Sequence, residues 1–240
     1  MSTVRAVGAM AAIITSILLG GAGAVTGQAH AASPAVVGGG SGIALATADP
    51  ATRALCTLTT IGYDHANRLV GITAGHCGET GAEVWAENSR GTGVIGHVAV
   101  RDRQHDWETI EFDPAQVIAV RRVGETEING IGAVPAPGDT VCKNGRTTGF
   151  TCGIVLDSDT RQFVNYACAT HGDSGGPVLL GDRLVGMING AAYAASGHLN
   201  CLDPAIPLHS PALSNQITTI LAEIDAITEF DAVGAGFRPL

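Results

Sequence analysis

Short apolar runs, separated by clusters of Gly, Pro, Asn and Asp, follow one another along most of the chain. Runs of this length that end in turn-forming residues are typical of strands in an antiparallel sheet. The pattern predicts strands at 56–61, 69–73, 107–112, 163–167 and 177–180, among others. We therefore expect an all-β fold.

A stretch rich in Gly and Pro, at about 125–139, interrupts this series of strands. Residues of these types favour loops and turns over regular strands. The stretch therefore predicts a linker between two β units, the first at about 36–124 and the second at about 140–209.

One segment, at about 211–228, has the spacing of an amphipathic helix. Ser210 can cap its first turn, and Pro211 suits the first helical position. A single apolar stripe predicts that the helix packs against the rest of the protein and does not bind a partner. The stripe contains Leu213, Ile217, Ile220, Leu221, Ile224 and Ile227.

The N-terminal segment has the composition of a targeting sequence. Arg5 is its only charge, residues 6–25 are apolar or small, and Ala-His-Ala at 29–31 matches a cleavage site. We predict a secretory signal peptide at 1–31, whose removal leaves 32–240 as an exported domain with no membrane span. The alternative is an uncleaved anchor, because an apolar stretch of about 20 residues can cross a bilayer.

Charge and composition exclude several classes of function. The chain has 22 acidic and 13 basic residues, a net charge of −9, and 45% hydrophobic residues. That apolar share can form a core, so a disordered chain is not expected. An acidic chain lacks the positive surface that binds nucleic acid, so no nucleic-acid partner is expected.

The cysteines indicate disulfides. An even number of them in an exported protein favours a disulfide framework, although their number alone leaves the pairing open. No two of them form a Cys-x-x-Cys pair, so no metal site is expected. The six residues are Cys56, Cys77, Cys142, Cys152, Cys168 and Cys201.

Three short segments contain the residue types that nucleophilic catalysis needs. They are Thr-Ala-Gly-His-Cys at 73–77, His-Asp-Trp at 105–107 and Gly-Asp-Ser-Gly-Gly-Pro at 172–177. A serine becomes a nucleophile when a histidine accepts its proton, and a carboxylate orients that histidine. Glycines beside the serine let backbone amides bind a developing oxyanion. The candidates are His76, Ser174 and Asp106 (with Asp102 and Asp113 as alternatives for the carboxylate), and the amides of Gly172 and Ser174.

In this order, the segments at 73–77 and 172–177 make the chain resemble the chymotrypsin-fold (trypsin-like) serine proteases. Val-Cys-Lys-Asn-Gly-Arg-Thr-Thr-Gly at 141–149 and Cys-Ala-Thr-His-Gly-Asp-Ser at 168–174 are most similar to the secreted bacterial branch, the streptogrisins and α-lytic protease. The resemblance implies two packed six-stranded antiparallel β-barrels with a C-terminal helix.

The same resemblance implies roles for individual residues. His76 would be the general base, Asp106 its orienting carboxylate and Ser174 the nucleophile of an enzyme that cleaves protein or peptide substrates without metal or cofactor. We expect a monomer. The implied disulfides are Cys56–Cys77, Cys142–Cys152 and Cys168–Cys201.

In the bacterial branch, a basic residue of the Cys142 loop usually holds the aspartate that precedes the nucleophile. The resemblance therefore implies an ion pair between Lys143 and Asp173, with Arg146 as a competing partner and a solvated lysine as the alternative. Val36 begins a segment that resembles the mature N terminus of the family. It follows the predicted signal peptide so closely that no room remains for the large folding pro-domain of bacterial relatives.

Two positions depart from the family pattern near the expected site. Asn189 replaces a serine whose hydroxyl supports the catalytic carboxylate. Its amide can donate to Asp106, whereas its bulk could distort the triad. Ala191 replaces an expected glycine, and its methyl group is expected to narrow the substrate entrance.

Three features near the expected pocket bear on substrate preference. No acidic residue occurs at 165–170, so a preference for Lys or Arg is not expected. His209 matches a pocket histidine of acid-preferring relatives, although Ile188 replaces a second one; a structural histidine is the alternative. His171 lies beside the oxyanion loop, where it either touches substrate or is solvated.

We therefore predict a secreted serine endopeptidase that acts through an acyl-enzyme intermediate. The alternative is a catalytically silent or latent member of the fold that acts as an exported binding protein, which Asn189, Ala191 and the missing pro-domain favour. A lipase or esterase is disfavoured, because the serine segment lacks the strand–turn–helix context of a Gly-x-Ser-x-Gly elbow.

Overall fold

The computed structural model describes residues 33–192, 197, 199–227 and 232–240. The predicted signal peptide, 1–31, lies outside the described residues. Strands dominate the described part of the chain, which confirms the all-β prediction. Within it, no helix has both the length and the apolar character that crossing a membrane requires.

The first half of the chain forms short strands joined by tight turns. One 3-10 turn, Arg90–Thr92, lies among them. The strands are β1 (Ala35–Val37), β2 (Gly42–Ala46), β3 (Arg53–Thr57), β4 (Thr60–Tyr63), β5 (Leu69–Thr73), β6 (Glu83–Ala86), β7 (Val94–Asp102), β8 (Trp107–Phe112), β9 (Val117–Ala119), β10 (Arg122–Val123) and β11 (Thr126–Glu127).

Most of these strands join one antiparallel sheet, which β18 (Arg238–Pro239) completes at one edge. The order is β18-β4-β5-β8-β7-β6-β2-β3, so the sheet has eight strands where the resemblance implied six. The segment 53–63 forms both β3 and β4, which lie near opposite ends of the sheet. The two extra strands are the result of this division and of β18, which pairs with β4. Residue Leu69 and the rest of β5 are buried at every position.

The second half forms a closed six-stranded barrel, as predicted. Neighbouring strands are antiparallel, in the order 12-13-14-17-16-15 by strand number. The strands are β12 (Thr140–Gly145), β13 (Gly149–Ser158), β14 (Gln162–Asn165), β15 (Pro177–Leu180), β16 (Arg183–Ala191) and β17 (Ala212–Gln216).

The helix α1 (Ile217–Asp225) begins later than predicted. The expected helical start at about 211 is wrong, because 212–216 form β17 and pair with β14 and β16 inside the barrel. Ser210 is therefore not the N-cap; that position is Gln216, whose side chain makes no capping hydrogen bond. The apolar stripe survives in the shorter helix, where Ile217, Ile220 and Ile224 are buried.

The segment between the two halves runs along the second barrel. Ile131 forms an isolated parallel bridge with Leu184 of β16, and the Gly132 amide donates to the Leu184 carbonyl at 2.8 Å. The two halves meet where the Thr57 amide donates to the Ser174 carbonyl and where Asn189 contacts Asp106, so the loops that carry the candidate motifs lie at their junction.

Candidate active site

His76 lies in the turn that follows β5, and the Cys56–Cys77 disulfide ties this turn to β3. Its ring Nδ1 lies 3.0 Å from each carboxylate oxygen of Asp106. The His76 backbone amide donates to Oδ1 of the same carboxylate at 2.8 Å. Asp106 therefore orients both the ring and the backbone of the histidine.

Asp106 lies in the turn between β7 and β8 and has a backbone φ of 56°. This left-handed conformation is uncommon outside glycine, and Asp tolerates it better than most residues because its short side chain can bond locally. Trp107 follows as the first residue of β8, where its ring is buried and its Nε1 donates to Glu223 of α1 at 2.8 Å. The buried tryptophan fixes the start of β8, directly after Asp106.

Asn189, on β16, supports the same carboxylate. Its Nδ2 donates to Asp106 Oδ2 at 2.7 Å and to the Asp106 carbonyl at 3.0 Å. Its Oδ1 accepts a hydrogen bond from the Asn215 amide at 3.1 Å, which orients the side chain. Burial by itself would raise the pKa of Asp106, but hydrogen bonds from His76 and Asn189 hold that pKa below its ordinary value. The amide thus donates where the family pattern has a serine hydroxyl, and Asp106 remains in contact with His76.

The two alternative carboxylates face elsewhere. Asp102 accepts hydrogen bonds from the amides of Gln104 and His105 at 2.8 and 2.9 Å, and its other oxygen faces the His105 ring at 3.0 Å. Asp113 accepts from the Ala115 amide at 2.8 Å. Asp106 is therefore the carboxylate that the fold brings to His76.

Ser174 lies in the turn before β15, and this turn packs against the first half of the chain. Its carbonyl accepts from the Thr57 amide at 2.8 Å, and the Gly175 carbonyl accepts from the Thr59 hydroxyl at 2.6 Å. Gly175 has a φ of 83°, and a Cβ on it would lie 2.1 Å from the Thr57 carbonyl oxygen. The same Cβ would lie 2.1 Å from the hydroxyl oxygen of Thr73, the last residue of β5. Only glycine allows this approach, which brings the serine turn beside the strand that leads to His76.

A cleft of about 300 Å³ contains both His76 and Ser174 in its lining. His171, Asn189 and Ala191 also line it, whereas no carboxylate, Lys or Arg side chain does so within the described residues. Ala191 therefore lies on the wall of the cleft.

His209 lies outside the lining of this cleft. Its ring is buried and stacks on Tyr166, with 4.7 Å between ring centroids, and its Nδ1 lies 3.1 Å from the Ser210 carbonyl oxygen. This position favours the structural alternative over the predicted substrate contact. Ile188, which is also buried, does reach the lining.

The backbone at Gly172 and Ser174 is suited to binding an oxyanion. Gly172 has a φ of 94°, which favours glycine. Within the described residues, neither the Gly172 nor the Ser174 amide donates to a backbone carbonyl. Both donors therefore keep their hydrogen-bonding capacity for another acceptor.

The Cys142–Cys152 hairpin encloses Asp173. Lys143 and Asp173 are both fully buried, and Lys143 Nζ lies 3.2 Å from Asp173 Oδ2. Lys143 Nζ also donates to the Thr148 hydroxyl and to the Gly149 carbonyl, the latter at 3.0 Å. Burial lowers the pKa of Lys143, and the carboxylate of Asp173 opposes that shift. The pair occupies the position that the resemblance implied.

Further groups from the same hairpin, together with the backbone amide of Thr170, complete the environment of Asp173. Its Oδ1 accepts from the Thr147 and Thr148 amides at 2.9 and 3.1 Å, and its Oδ2 accepts from the Thr148 hydroxyl at 2.5 Å and the Thr170 amide at 3.0 Å. Val36 lies in β1, paired in register with Ile118. In this structure the hairpin and Thr170, and not the segment around Val36, supply the partners of Asp173.

Arg146 does not compete for Asp173 in this structure. Its Nε donates to Glu87 Oε2 at 2.6 Å, and its Nη2 donates to Glu87 Oε1. This fork joins the hairpin of the second half to the loop after β6 in the first half. Sequence reasoning missed the pair, because no local motif connects two residues so far apart.

The disulfides are Cys56–Cys77, Cys142–Cys152 and Cys168–Cys201, the pairs that the resemblance implied. Two groups in the described residues have metal-ligand geometry. Cys56, Cys77 and His76 form the first, but both sulfurs are in the disulfide. The second consists of Asp102, His105 and Glu223. The His105 ring already contacts both carboxylates, and Arg161 forms an ion pair with Glu223. Neither group fits a metal ion well.

Glu108, on β8, is a second feature that sequence reasoning missed. It is fully buried beneath the His76 turn, and its Oε2 accepts from the Gly78 amide at 3.2 Å. Within the described residues, Oε1 has no hydrogen-bond partner. Burial raises the pKa of Glu108 to about 8, so the side chain is a neutral acid at neutral pH.

No family model matches the chain. An uncharacterised protein of Mycobacterium tuberculosis, Rv1815, is 32% identical over 190 residues, covering 68% of this chain and 84% of that protein. Streptogrisin-C of Streptomyces griseus is 27% identical over 150 residues, covering 57% of this chain and 32% of streptogrisin-C. The crystal structure of Cellulomonas bogoriensis chymotrypsin aligns with a TM-score of 0.61 at 23% identity, over 86% of this chain and 99% of that one.

Proposed function

The chain belongs to the chymotrypsin-fold serine proteases of bacteria, and from that premise we propose that it is an exported endopeptidase whose nucleophile is Ser174. The observation that carries the proposal is the contact of Asp106 with His76, because His76 lines the same cleft as Ser174. A binding protein has no need of a histidine held by a carboxylate beside a serine.

The reaction that we propose begins when Ser174 Oγ attacks the carbonyl carbon of the scissile peptide bond and its proton passes to Nε2 of His76. The amides of Gly172 and Ser174 bind the oxyanion that forms. His76 then donates the proton to the leaving nitrogen, the C–N bond breaks, and an acyl ester remains on Ser174. Water attacks this ester in the same way, which releases the acid and restores the serine.

Asp106 has two roles in this scheme. It fixes the ring so that Nδ1 carries a proton and Nε2 is the free base, and its charge stabilises the imidazolium that each step creates. The lowered pKa of Asp106 supports both roles, because the carboxyl stays ionised at neutral pH. Asn189 would strengthen this effect rather than oppose it, which weakens the case for a silent member of the fold.

The lining of the cleft supports a preference for an uncharged residue on the acyl side of the cleaved bond. Ala169, Thr170, Ile188 and Ala191 present small or apolar groups, and the lining holds no carboxylate within the described residues. A Lys or Arg side chain would enter without a counter-charge. Cleavage after Leu, Phe or Ala is therefore expected, and cleavage after Glu would instead revive the role of His209.

Three disulfides are consistent with an oxidising compartment outside the cytoplasm. Together with the composition of residues 1–31, they support export through a cleaved signal peptide. N-terminal sequencing of the protein recovered from the culture medium tests this part of the proposal, and an intact N terminus on cell membranes would contradict it.

A fluorophosphonate probe tests the catalytic proposal. The full chain, produced by export so that its disulfides form, is treated with the probe and its intact mass is measured. One adduct is expected on the native protein and on Ser89→Ala, a control serine that directly precedes the 3-10 turn and whose side chain makes no capping hydrogen bond. No adduct is expected on Ser174→Ala. A folded native protein that gains no adduct would indicate a silent member of the family.

A further inference from the structure

We infer that the Thr147 hydroxyl is a positioning group for the oxyanion hole: it holds the His171–Gly172 peptide so that the Gly172 amide faces the cleft. Thr147 lies in the turn of the Cys142–Cys152 hairpin, and its Oγ1 donates to the His171 carbonyl at 2.8 Å. The catalytic consequence of this contact rests on the proposed function. The orientation of the peptide does not.

Because the peptide bond is planar, this contact also fixes the direction of the Gly172 amide. In a planar trans peptide, the C=O of one residue and the N–H of the next point in opposite directions. With the His171 carbonyl bound to Thr147, the Gly172 amide must point away from Thr147. Thr147 is not part of the cleft lining, whereas His171 and Ser174 are. The amide is thereby directed toward the side on which the substrate carbonyl would lie.

Such a restraint is needed because Gly172 itself offers little resistance to rotation of this peptide. Gly172 has a φ of 94°, and turning the peptide over would bring φ into the negative region, which glycine adopts equally well. The opposite orientation would place a carbonyl oxygen, and no donor, beside the oxyanion. A Cβ at Gly172 would lie 2.4 Å from Thr147 Oγ1, so the hydroxyl occupies the space of the absent side chain.

Neighbouring contacts keep the hydroxyl on the His171 carbonyl. Arg146 Nη1 donates to Thr147 Oγ1 at 3.1 Å, and the Glu87 carboxylate holds the same guanidinium. Since the oxygen already accepts from Arg146, its own proton is directed to the carbonyl. The Thr147 backbone amide binds Asp173 Oδ1 at 2.9 Å, so the residue keeps its place even without the hydroxyl.

The next peptide is fixed independently. The Thr57 hydroxyl donates to the Gly172 carbonyl at 2.8 Å and accepts from the Arg146 backbone amide at 3.0 Å. Loss of the Thr147 hydroxyl therefore frees the His171–Gly172 peptide alone. This separation makes the contribution of a single hydroxyl measurable.

The test compares three variants of the full, oxidised protein. Thr147→Val keeps the shape of the side chain without the hydroxyl, and Thr147→Ser keeps the hydroxyl. Thr160→Val is the control, since Thr160 is an exposed turn residue of the same barrel. With a chromogenic peptide ester, kcat of Thr147→Val is expected to fall about 10- to 100-fold, since one oxyanion donor is misdirected in much of the population. KM should change less than about twofold. Thr147→Ser and Thr160→Val should remain near the native kcat.

Crystal structures of the native protein, Thr147→Val and Thr147→Ser give a readout that needs no activity. The His171 carbonyl is expected to face residue 147 in the native protein and in Thr147→Ser, and to turn toward the cleft in Thr147→Val. An unchanged peptide in Thr147→Val overturns the inference, as does an equal loss of kcat in Thr147→Ser. If the native protein proves inert but the peptide still turns over in Thr147→Val, the proposed function fails and the positioning role stands.

Discussion

The two halves of the molecule hold their candidate catalytic groups by different means. In the first half, His76 and Asp106 are joined by contacts between ionisable side chains. In the second half, the turn that carries Ser174 is held through its backbone, by threonine hydroxyls and by the buried carboxylate of Asp173. The comparison teaches that the base depends on the charge state of its partner, whereas the serine turn depends on the integrity of a buried support.

The largest expected effect comes from neutralising Asp106, the carboxylate that contacts His76. In Asp106→Asn the side chain still reaches His76, but it favours the wrong tautomer and cannot stabilise the imidazolium. We expect kcat to fall on the order of 10⁴-fold with little change in melting temperature. Steady-state kinetics on a peptide ester measure it. Asp102→Asn is the matched control, because that carboxylate contacts His105 and not His76; equal losses in both variants would contradict the assignment.

The second prediction concerns Lys143, the buried cation that pairs with Asp173 beneath the serine turn. Lys143→Met leaves the Asp173 carboxylate buried without its cation, which is expected to lower the free energy of unfolding by about 3–5 kcal/mol. Urea titration measures the loss. The double variant Lys143→Met/Asp173→Asn removes the unpaired charge and should recover part of it. A single variant as stable as the native protein would show that the pair contributes nothing to holding the turn.

The third effect, the smallest for a change of one pH unit, concerns Glu108, the neutral acid beneath the His76 turn. The folded state keeps the Glu108 proton up to about pH 8, whereas the unfolded chain loses it near the ordinary pKa of 4.5. The folded state therefore binds more protons between these values, and its stability should decline as pH rises through that window. The slope from this group approaches about 1.4 kcal/mol per pH unit.

Urea titrations at several pH values isolate this contribution. Glu108→Gln should remove the decline in the free energy of unfolding that Glu108 causes. The difference in this free energy between the variant and the native protein should therefore change steadily from pH 5 to about pH 8. Glu111→Gln, an exposed residue on the same strand, should follow the native protein at every pH. Parallel curves for Glu108→Gln and the native protein would show that Glu108 does not retain its proton on folding.

Local patterns were sufficient for many of the strands. β5, β8 and β15 begin and end at the predicted residues, because each is a short apolar run with turn-forming residues at its ends. β17 was not predictable in this way. Leu213 falls on the helical stripe that continues through Ile217, and the segment becomes a strand only through pairing with β14 and β16.

The residues of the candidate site also differ in whether a local pattern could predict them. His76, Asp106 and Ser174 were predictable because each lies in a local motif with its characteristic neighbours. The threonine contacts of the oxyanion loop were not, since Thr57 and Gly172 lie 115 residues apart and a lone threonine has no distinguishing pattern. Glu108 was missed for a related reason: on an antiparallel strand, a glutamate is ordinarily expected to face solvent.

The late strand β18 has a consequence for the order in which the protein is completed. It pairs with β4, and the nearby carbonyls of Ala232, Val233 and Ala235 accept hydrogen bonds from side chains of the first half. The N-terminal sheet therefore lacks its final edge until the other barrel has been synthesised. Contacts that span most of a chain form slowly. A chain still emerging from the ribosome would therefore leave the outer edge of β4 unpaired until residues 238–239 are made.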